Sequence, residues 1–346
     1  MKILFKHFWF DLLLTFGAII AILLGKGVVA AGLVVVVLII EIAFSFDNAV
    51  INAKILRRLS RFWQTLFLTV GILIAVVGMR LVFPILLVAI TAKLQWTEVI
   101  RIALNEPNTY AHYIELAHPT IAAFGGGFLI MLALYFFFDR HKVINWLPIE
   151  TSMKKFGFWF VPPIVAVAVL GILALIPANH HPVETLQAGS LGIGVYVAIQ
   201  LLLWLVGKAV HIDTSKATKL TGLAALTSFF YLEVLDASFS FDGVLGAFAI
   251  TTDVILIAVG LGVGAFWVRS LTIFMVRRNT LDQYMFLEHG AHYAVGFLAL
   301  TMLLGLIYHV PEYITGVGTI LIIVISVISS KRREKLLESS ASKKRN

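Results

Sequence analysis

The fold is decided by the stretch Phe44-Ser45-Phe46-Asp47-Asn48-Ala49-Val50, which returns later in the chain as Phe239-Ser240-Phe241-Asp242-Gly243-Val244-Leu245. In each copy an acid precedes the aspartate by six residues, Glu41 in the first copy and Asp236 in the second. The likeness extends to an arginine in the apolar segment that follows each copy, Arg80 and Arg269. The sequence therefore contains an internal repeat, with copies at about residues 28–138 and 220–308.

Both copies lie in a chain that is too apolar for a water-soluble protein. Of its 346 residues, 60% are hydrophobic and 13% are charged, whereas ordinary soluble domains carry about 25% charged residues. The mean hydropathy is +0.96. This composition excludes a soluble enzyme, a secreted disulfide scaffold and a disordered chain. The absence of cysteine excludes disulfides, Cys-ligated zinc and thiol nucleophiles. We therefore expect an all-α polytopic membrane protein.

Apolar segments long enough to span a bilayer, about 20 residues each, recur along the chain. They predict about ten transmembrane helices in one domain of residues 1–330, near 8–24, 28–53, 64–91, 120–138, 158–177, 189–208, 220–251, 254–275, 292–308 and 312–329. The two copies start five spans apart, an odd number, so they cross the membrane in opposite directions. We expect two inverted three-helix repeats, followed by a charged, disordered tail over residues 331–346.

The basic residues predict an orientation. Most of the 27 Lys and Arg residues fall in loops on the side of the N-terminus. The positive-inside rule makes that side cytoplasmic, so both termini of a protein in the inner membrane face the cytoplasm. The net charge of +8 then has anionic lipid headgroups, not nucleic acid, as its neighbours.

Acidic residues are concentrated in the two repeated helices. A charged side chain near the bilayer centre costs at least ~2.5–3.5 kcal/mol, so such groups need a counter-charge or a ligand. The candidate cation ligands are Glu41, Asp47, Asn48, Asp236 and Asp242, with Glu233, Ser45 and Ser240 as further candidates. Arg80 and Arg269 could alternatively neutralise two of the acids in buried ion pairs. Glu41 and Asp47 could both reach one cavity if their helix opens locally at Phe-Ser-Phe-Asp.

The donor types indicate the class of ion. Carboxylates, an amide and hydroxyls suit hard divalent cations such as magnesium, calcium or manganese. The lack of cysteine and of intramembrane histidine argues against copper or zinc. Inverted repeats are typical of secondary transporters, whose site lies near the midplane between the repeats.

Three further groups of polar residues lie near the span ends. Solvated surface is the favoured interpretation for each, and metal sampling at the mouths of a pathway is the alternative. The groups are His112, Glu115 and His118; His180, His181 and Glu184; and Glu288, His289 and His292.

At the repeated motifs the chain resembles the TerC family of bacterial integral membrane proteins, in particular a longer branch of unknown function. The family is similar to the wider LysE-type transporter group. The resemblance rests on Glu41 with Asp47-Asn48, and on Asp236, or Glu233, with Asp242. It implies manganese export, or supply of metal to exported enzymes. Gly243 departs from the pattern, since an amide or hydroxyl residue is common there.

The sequence thus predicts a secondary transporter that exports divalent cations, with Mn²⁺ as the transported ion, by alternating access and with coupling protons. No enzyme activity and no resident cofactor are expected. The alternatives are a membrane accessory protein that supplies metal to exported enzymes, and a carrier of small amino-acid-like solutes. The sequence leaves open whether the chain forms a homo-oligomer.

Overall fold

The computed structural model of the chain describes residues 2–209, 219–308 and 310–345. Within these ranges the chain is helical, with one isolated β-bridge. The α-helices are α1 (Lys2–Phe44), α2 (Phe46–Leu56), α3 (Arg61–Leu66), α4 (Phe83–Thr91), α5 (Trp96–Asn105), α6 (Pro107–Phe138), α7 (Pro148–Lys155), α8 (Val161–Leu175), α9 (Pro182–Ala209), α10 (Gly222–Ile250), α11 (Val254–Arg278), α12 (Thr280–Gln283), α13 (Leu287–Leu304) and α14 (Glu312–Arg345). Two π-helical segments, Phe67–Gly71 and Ile74–Val82, lie between α3 and α4.

Seven helical segments of the described chain are long and apolar enough to cross a membrane. They are His7–Phe44, Arg61–Ile90, Pro107–Phe138, Pro182–Val206, Gly222–Ser240, Val254–Arg278 and Ile314–Leu337. The expectation of an all-α, multi-pass membrane protein is therefore confirmed. α8 has 15 residues, fewer than the roughly 20 of a full span. The number of ten spans stays a prediction.

α1 is one helix in outline but has a sharp break at Gly27. The φ of Gly27 is +88° and its ψ is 179°, values that glycine adopts far more readily than other residues. This residue separates the segments that the sequence predicts as the first two spans. The second segment of α1, with α2, carries the first copy of the repeated motif.

The loops that the sequence places on the basic side meet in the structure. Lys54, near the end of α2, pairs with Glu288 at the start of α13. Leu59 forms the β-bridge with Leu220, just before α10. We call this end of the bundle, where residues 54–59, 220 and 288 meet, the basic end.

The opposite end shows that the two repeated helices are antiparallel. Lys26, at the start of the second segment of α1, pairs with Asp253, which follows α10. The first copy therefore runs from the Lys26 end towards the basic end. The second copy runs from Leu220 at the basic end towards Asp253. This is the inversion that an odd number of spans predicts.

Glycines allow α6 and α9 to pack at close range. A Cβ on Gly127 would lie 2.4 Å from the carbonyl oxygen of Gly189, and one on Gly192 would lie 2.1 Å from that of Phe124. Membrane helices commonly use small residues for such approaches, because lipid gives apolar side chains little reason to associate. α6 is thereby held in the middle of the bundle.

The charged segment that begins at Lys331 continues α14 as helix through Arg345. Its Lys, Arg, Glu and Leu residues are good helix formers, and extending an existing helix avoids the cost of nucleation. Disorder of the tail over residues 331–346 stays a prediction.

Candidate functional site

The boundary between α1 and α2 falls on Ser45, inside the first motif. Ser45 has φ −92° and ψ 12°, outside regular helix. The backbone hydrogen bonds Ser45 N to Glu41 O and Ala49 N to Ser45 O, each 3.0 Å, persist across it. The predicted opening is thus a slight irregularity in the first copy. In the second copy α10 runs without interruption.

Glu41 and Arg80 form a buried ion pair between the first and second helices of the first repeat. Glu41 is 1% exposed and Arg80 is 7% exposed. Ser45 Oγ donates to Glu41 Oε1 at 3.1 Å, and Arg80 Nη1 donates to the Ala75 carbonyl at 2.8 Å. Arg80 lies in a π-helical segment, a rare conformation that is frequent at functional sites.

Arg269 plays the same part in the second repeat, but it faces two carboxylates. Arg269 Nη2 lies 3.0 Å from Asp236 Oδ2 and 3.2 Å from Glu233 Oε2. Nη1 donates to the Phe67 carbonyl at 2.9 Å, and the guanidinium lies over the Phe67 ring, 4.0 Å from its centroid. All three charged groups are buried.

The two repeats meet through the residue that follows each motif aspartate. Asn48 Nδ2 donates to Asp236 Oδ1 at 2.8 Å, which links the motif of one repeat to the acid of the other. At the corresponding position of the second repeat, a Cβ on Gly243 would lie 2.7 Å from Glu41 Oε2. The Glu41 side chain, which is one methylene longer than that of its counterpart Asp236, thus reaches the space that Gly243 leaves open. This accounts for the departure of Gly243 from the family pattern.

The arginines face three of the five acids that the sequence singles out: Glu41, Glu233 and Asp236. Asp47 is fully buried, and its Oδ1 accepts the backbone N–H of Asn48 at 2.9 Å. The side chain of Asp242 lies outside the described residues, although its backbone belongs to α10. The two arginines therefore form ion pairs with three acids, one more than a single acid for each arginine.

On the same helices lie buried oxygen atoms that accept no hydrogen bond from the described residues. They are Asn48 Oδ1, Asn52 Oδ1 and Ser240 Oγ, on residues that are 1–4% exposed. Asn52 follows Asn48 by four residues on α2, so both amides share one face of that helix. The sequence analysis missed Asn52. An amide one turn beyond the motif, inside the same apolar run, is the signal that could have found it.

The described residues contain no group of three or more His, Asp or Glu side chains arranged to hold a metal ion. The carboxylates of Glu41, Glu233 and Asp236 are turned towards the arginines. The assignment of Glu41, Asp47, Asn48, Asp236 and Asp242 as cation ligands, with Ser45 and Ser240, therefore stays a prediction.

The group Glu288, His289 and His292 does not form one site or a solvated surface. Glu288 pairs with Lys54, and His292 stacks on Phe136 with ring centroids 3.8 Å apart. Both histidines are 4% exposed on α13, a helix that is not among the seven candidate spans. In the other two groups, His112, Glu115 and His180 are exposed, and His118, His181 and Glu184 are half-buried.

His289 belongs to a cluster that the sequence analysis did not find. Its Nδ1 lies 2.9 Å from Glu150 Oε2, and Lys142 Nζ lies 2.8 Å from the same oxygen. Burial of Glu150 by itself raises the pKa of its carboxyl. The hydrogen bonds from His289 and Lys142 outweigh that effect and lower the pKa to about 2. The cluster ties α7 to α13. The sequence does carry a signal for this helix, because Pro148 followed by Glu150 is typical of a helix N-terminus.

Asp11 is a further buried acid outside the two repeats. It is 1% exposed in the first segment of α1, and its Oδ1 accepts a hydrogen bond from Ser270 Oγ at 2.9 Å. The described ion pairs of Arg80 and Arg269 are with other acids, although Ser270 directly follows Arg269 on α11. Asp11 therefore offers a matched control for substitutions at them.

Residues 46–337 match the model of a family described as protein of unknown function (DUF475), and the chain belongs to that family. Comparison with curated proteins and with solved structures gives no match. The resemblance to the TerC family and to the LysE-type group stays a prediction.

Proposed function

We propose that this member of the DUF475 family is a secondary transporter that exports divalent cations, with Mn²⁺ as its preferred substrate. The proposal is supported by one observation above the others. Among the described residues, three buried carboxylates face two buried arginines where the two repeats meet, and neutral oxygen atoms on the same helices accept no hydrogen bond.

The charge balance favours a cationic substrate. Arg80 and Arg269 face three buried carboxylates, those of Glu41, Glu233 and Asp236. Fully ionised, this set carries an excess of one negative charge. Uncompensated charge in a low-dielectric interior costs several kcal/mol per ion, so a proton or a bound cation would stabilise the site.

The donor chemistry favours a hard ion. Asn48 Oδ1, Asn52 Oδ1 and Ser240 Oγ are neutral oxygen donors that no hydrogen bond satisfies in the described residues. Together with carboxylate oxygens they form the kind of ligand set that suits manganese, magnesium or calcium. The preference for manganese within that class comes from the resemblance to the TerC family.

The mechanism we propose is alternating access with exchange of partners. Arg80 and Arg269 hold the acids while the site is empty of substrate. An arriving cation takes over carboxylate oxygens from the arginines. Rocking of one repeat against the other then exposes the site to the opposite side, as in other inverted-repeat carriers. Protonation of a carboxylate on the outer side would assist release.

We further propose that the protein lies in the inner membrane with both termini in the cytoplasm. The contacts Lys54–Glu288 and Leu59–Leu220 gather several of the basic loops at one end. That end would face the cytoplasm by the positive-inside rule.

The experiment is Mn²⁺ flux into proteoliposomes, with an imposed pH gradient, for the wild type, Asp47→Asn and Asp11→Asn. Asp47→Asn removes a buried charge at the junction of the repeats, whereas Asp11→Asn removes one outside it. We expect a fall of roughly 10–100-fold for Asp47→Asn, the range that loss of a supporting group costs a metal site. The Asp11→Asn variant should keep most of the flux. Equal flux through all three proteins would overturn the proposal, as would absence of cation-dependent flux in the wild type.

A further inference from the structure

A cavity of about 890 Å³ lies at the basic end, lined by residues of α2, α6, α8, α9 and α10. None of the candidate cation ligands lines it. α8 and α9, which contribute part of the wall, lie outside the two repeats. The cavity is therefore a second feature of the molecule, distinct from the carboxylate–arginine region.

The charged side chains of the cavity are mostly basic. Lys54, Arg58, Arg140 and Lys208 line it, and Asp139 is the one carboxylate among the described lining residues. Lys54 pairs with Glu288. Arg58, Arg140 and Lys208 are exposed, and none of them forms an ion pair within the described part of the chain. Three cations are thus available at the rim.

This charge pattern points to an anion. A concave surface lined by one sign of charge concentrates ligands of the opposite sign and repels those of its own. The cavity is accordingly unsuited to conduct a divalent cation. Guanidinium and ammonium groups around a pocket suit a phosphate, which guanidinium recognises with two parallel hydrogen bonds.

The rim also carries aromatic side chains that extend to the lipid-facing surface. Trp159 is 79% exposed and Trp204 is 58% exposed. The Arg140 guanidinium lies 4.0 Å from the centroid of the Phe158 ring, and Lys208 Nζ lies 5.3 Å from that of Trp204. Tryptophan with adjacent basic residues is typical of the level of lipid headgroups. A ligand held here would have an apolar part next to its anionic part.

The inner wall of the cavity is polar. Tyr196, Ser228 and Tyr231 line it and are buried, and Gln200 Nε2 donates to the Tyr196 hydroxyl at 3.1 Å. These groups could accept or donate hydrogen bonds to hydroxyls of a headgroup. The cationic rim suits a phosphate, the aromatic outer edge suits an apolar part, and the inner wall suits the hydroxyls of a headgroup. One amphipathic anion would carry all three parts.

We propose that this cavity binds the headgroup of an anionic glycerophospholipid. The phosphate contacts Arg58, Arg140 and Lys208, and the headgroup hydroxyls face Ser228 and Tyr231. The acyl chains leave the cavity past Trp159 and Trp204. Basic pockets between transmembrane helices bind anionic lipids in this manner. Since Ile51, Lys54 and Ile55 of α2 line the same cavity, the bound lipid would contact the helix that carries Asn48 and Asn52.

The test is binding of phosphatidylglycerol to the purified, delipidated full chain, measured by native mass spectrometry against phosphatidylcholine and glycerol 3-phosphate. The variant is Arg58→Gln/Lys208→Gln. The matched control is Arg277→Gln/Arg278→Gln, which removes two positive charges from the end of α11, outside the cavity. Each basic contact near a membrane surface contributes about a fivefold gain in binding, so we expect about a 25-fold loss for the variant and little for the control.

A second measurement does not depend on removing charge. Brominated phosphatidylglycerol should quench tryptophan fluorescence in the wild type, and the quenching should fall in Trp159→Phe/Trp204→Phe. Binding of phosphatidylcholine as tight as that of phosphatidylglycerol would overturn the proposal. Equal binding of phosphatidylglycerol by the variant and the control would also overturn it. Tight binding of glycerol 3-phosphate alone would overturn it as well, because it would indicate a soluble anion as the ligand.

Discussion

Replacing Arg269 by glutamine should destabilise the protein more than the same change at Arg80. Arg269 is 2% exposed and faces Asp236 at 3.0 Å and Glu233 at 3.2 Å, whereas the described ion pair of Arg80 is with Glu41 alone. Glutamine keeps some hydrogen bonding but removes the charge. Within the described residues, Arg269→Gln therefore removes the ion-pair partner of two buried carboxylates, and Arg80→Gln removes that of one.

The size of the effect follows from this geometry. Removing one partner of a buried ion pair typically costs about 3–5 kcal/mol, because the other charge stays buried. We expect Arg80→Gln near the lower end of that range and Arg269→Gln near its upper end. Adding Glu233→Gln to Arg269→Gln removes one of the stranded charges. Residues in direct contact couple by about 0.5–3 kcal/mol, so the double variant should cost less than the sum of the two single variants by an amount in that range.

The assay is the free energy of unfolding of each purified variant in the same detergent, from denaturant titration of helical content. The double-mutant cycle of Arg269 and Glu233 supplies the coupling energy. The reasoning would be refuted if Arg269→Gln cost less than about 1 kcal/mol. It would be refuted equally if the costs of Arg269→Gln and Glu233→Gln simply added in the double variant.

Two further predictions concern other parts of the molecule. The pKa of Glu150 falls from 4.5 to about 2 on folding, so its ionised form contributes roughly 3 kcal/mol to the free energy of unfolding. This stabilisation is fully present above about pH 4.5 and is lost as the pH falls through about 2, so hydrogen exchange of α7 in the wild type should accelerate over that interval. The same pH profile in Glu150→Gln as in the wild type would contradict this. Gly127→Ala should lower stability by more than about 1 kcal/mol, since its Cβ would lie 2.4 Å from the Gly189 carbonyl oxygen, whereas Gly171→Ala meets nothing within 4 Å and should be neutral or stabilising by thermal unfolding.

The sequence was sufficient for the features that depend on local composition. The length of apolar runs predicts membrane helices, and the recurrence of Phe-Ser-Phe-Asp an odd number of spans apart predicts inversion, which the contacts Lys26–Asp253 and Leu59–Leu220 bear out. The cost of burying charge also singled out the acids that the structure buries, among them Glu41, Asp47 and Asp236.

The contacts at the site could not be read in the same way. Asn48 and Asp236 are 188 positions apart, and nothing in either motif states that the amide of one repeat donates to the acid of the other. The sharing of Arg269 between Glu233 and Asp236, and the approach of Glu41 to Gly243, are likewise matters of helix rotation.

The physical reason is that transfer of a segment into lipid depends on the residues of that segment alone. The rotation and tilt of one helix against another depend on packing around its whole circumference. Membrane helices that are apolar on all sides carry no amphipathic stripe to fix that rotation. The sequence therefore determined which charges enter the membrane and in which mirrored helices, and only the tertiary structure decided which of them are paired.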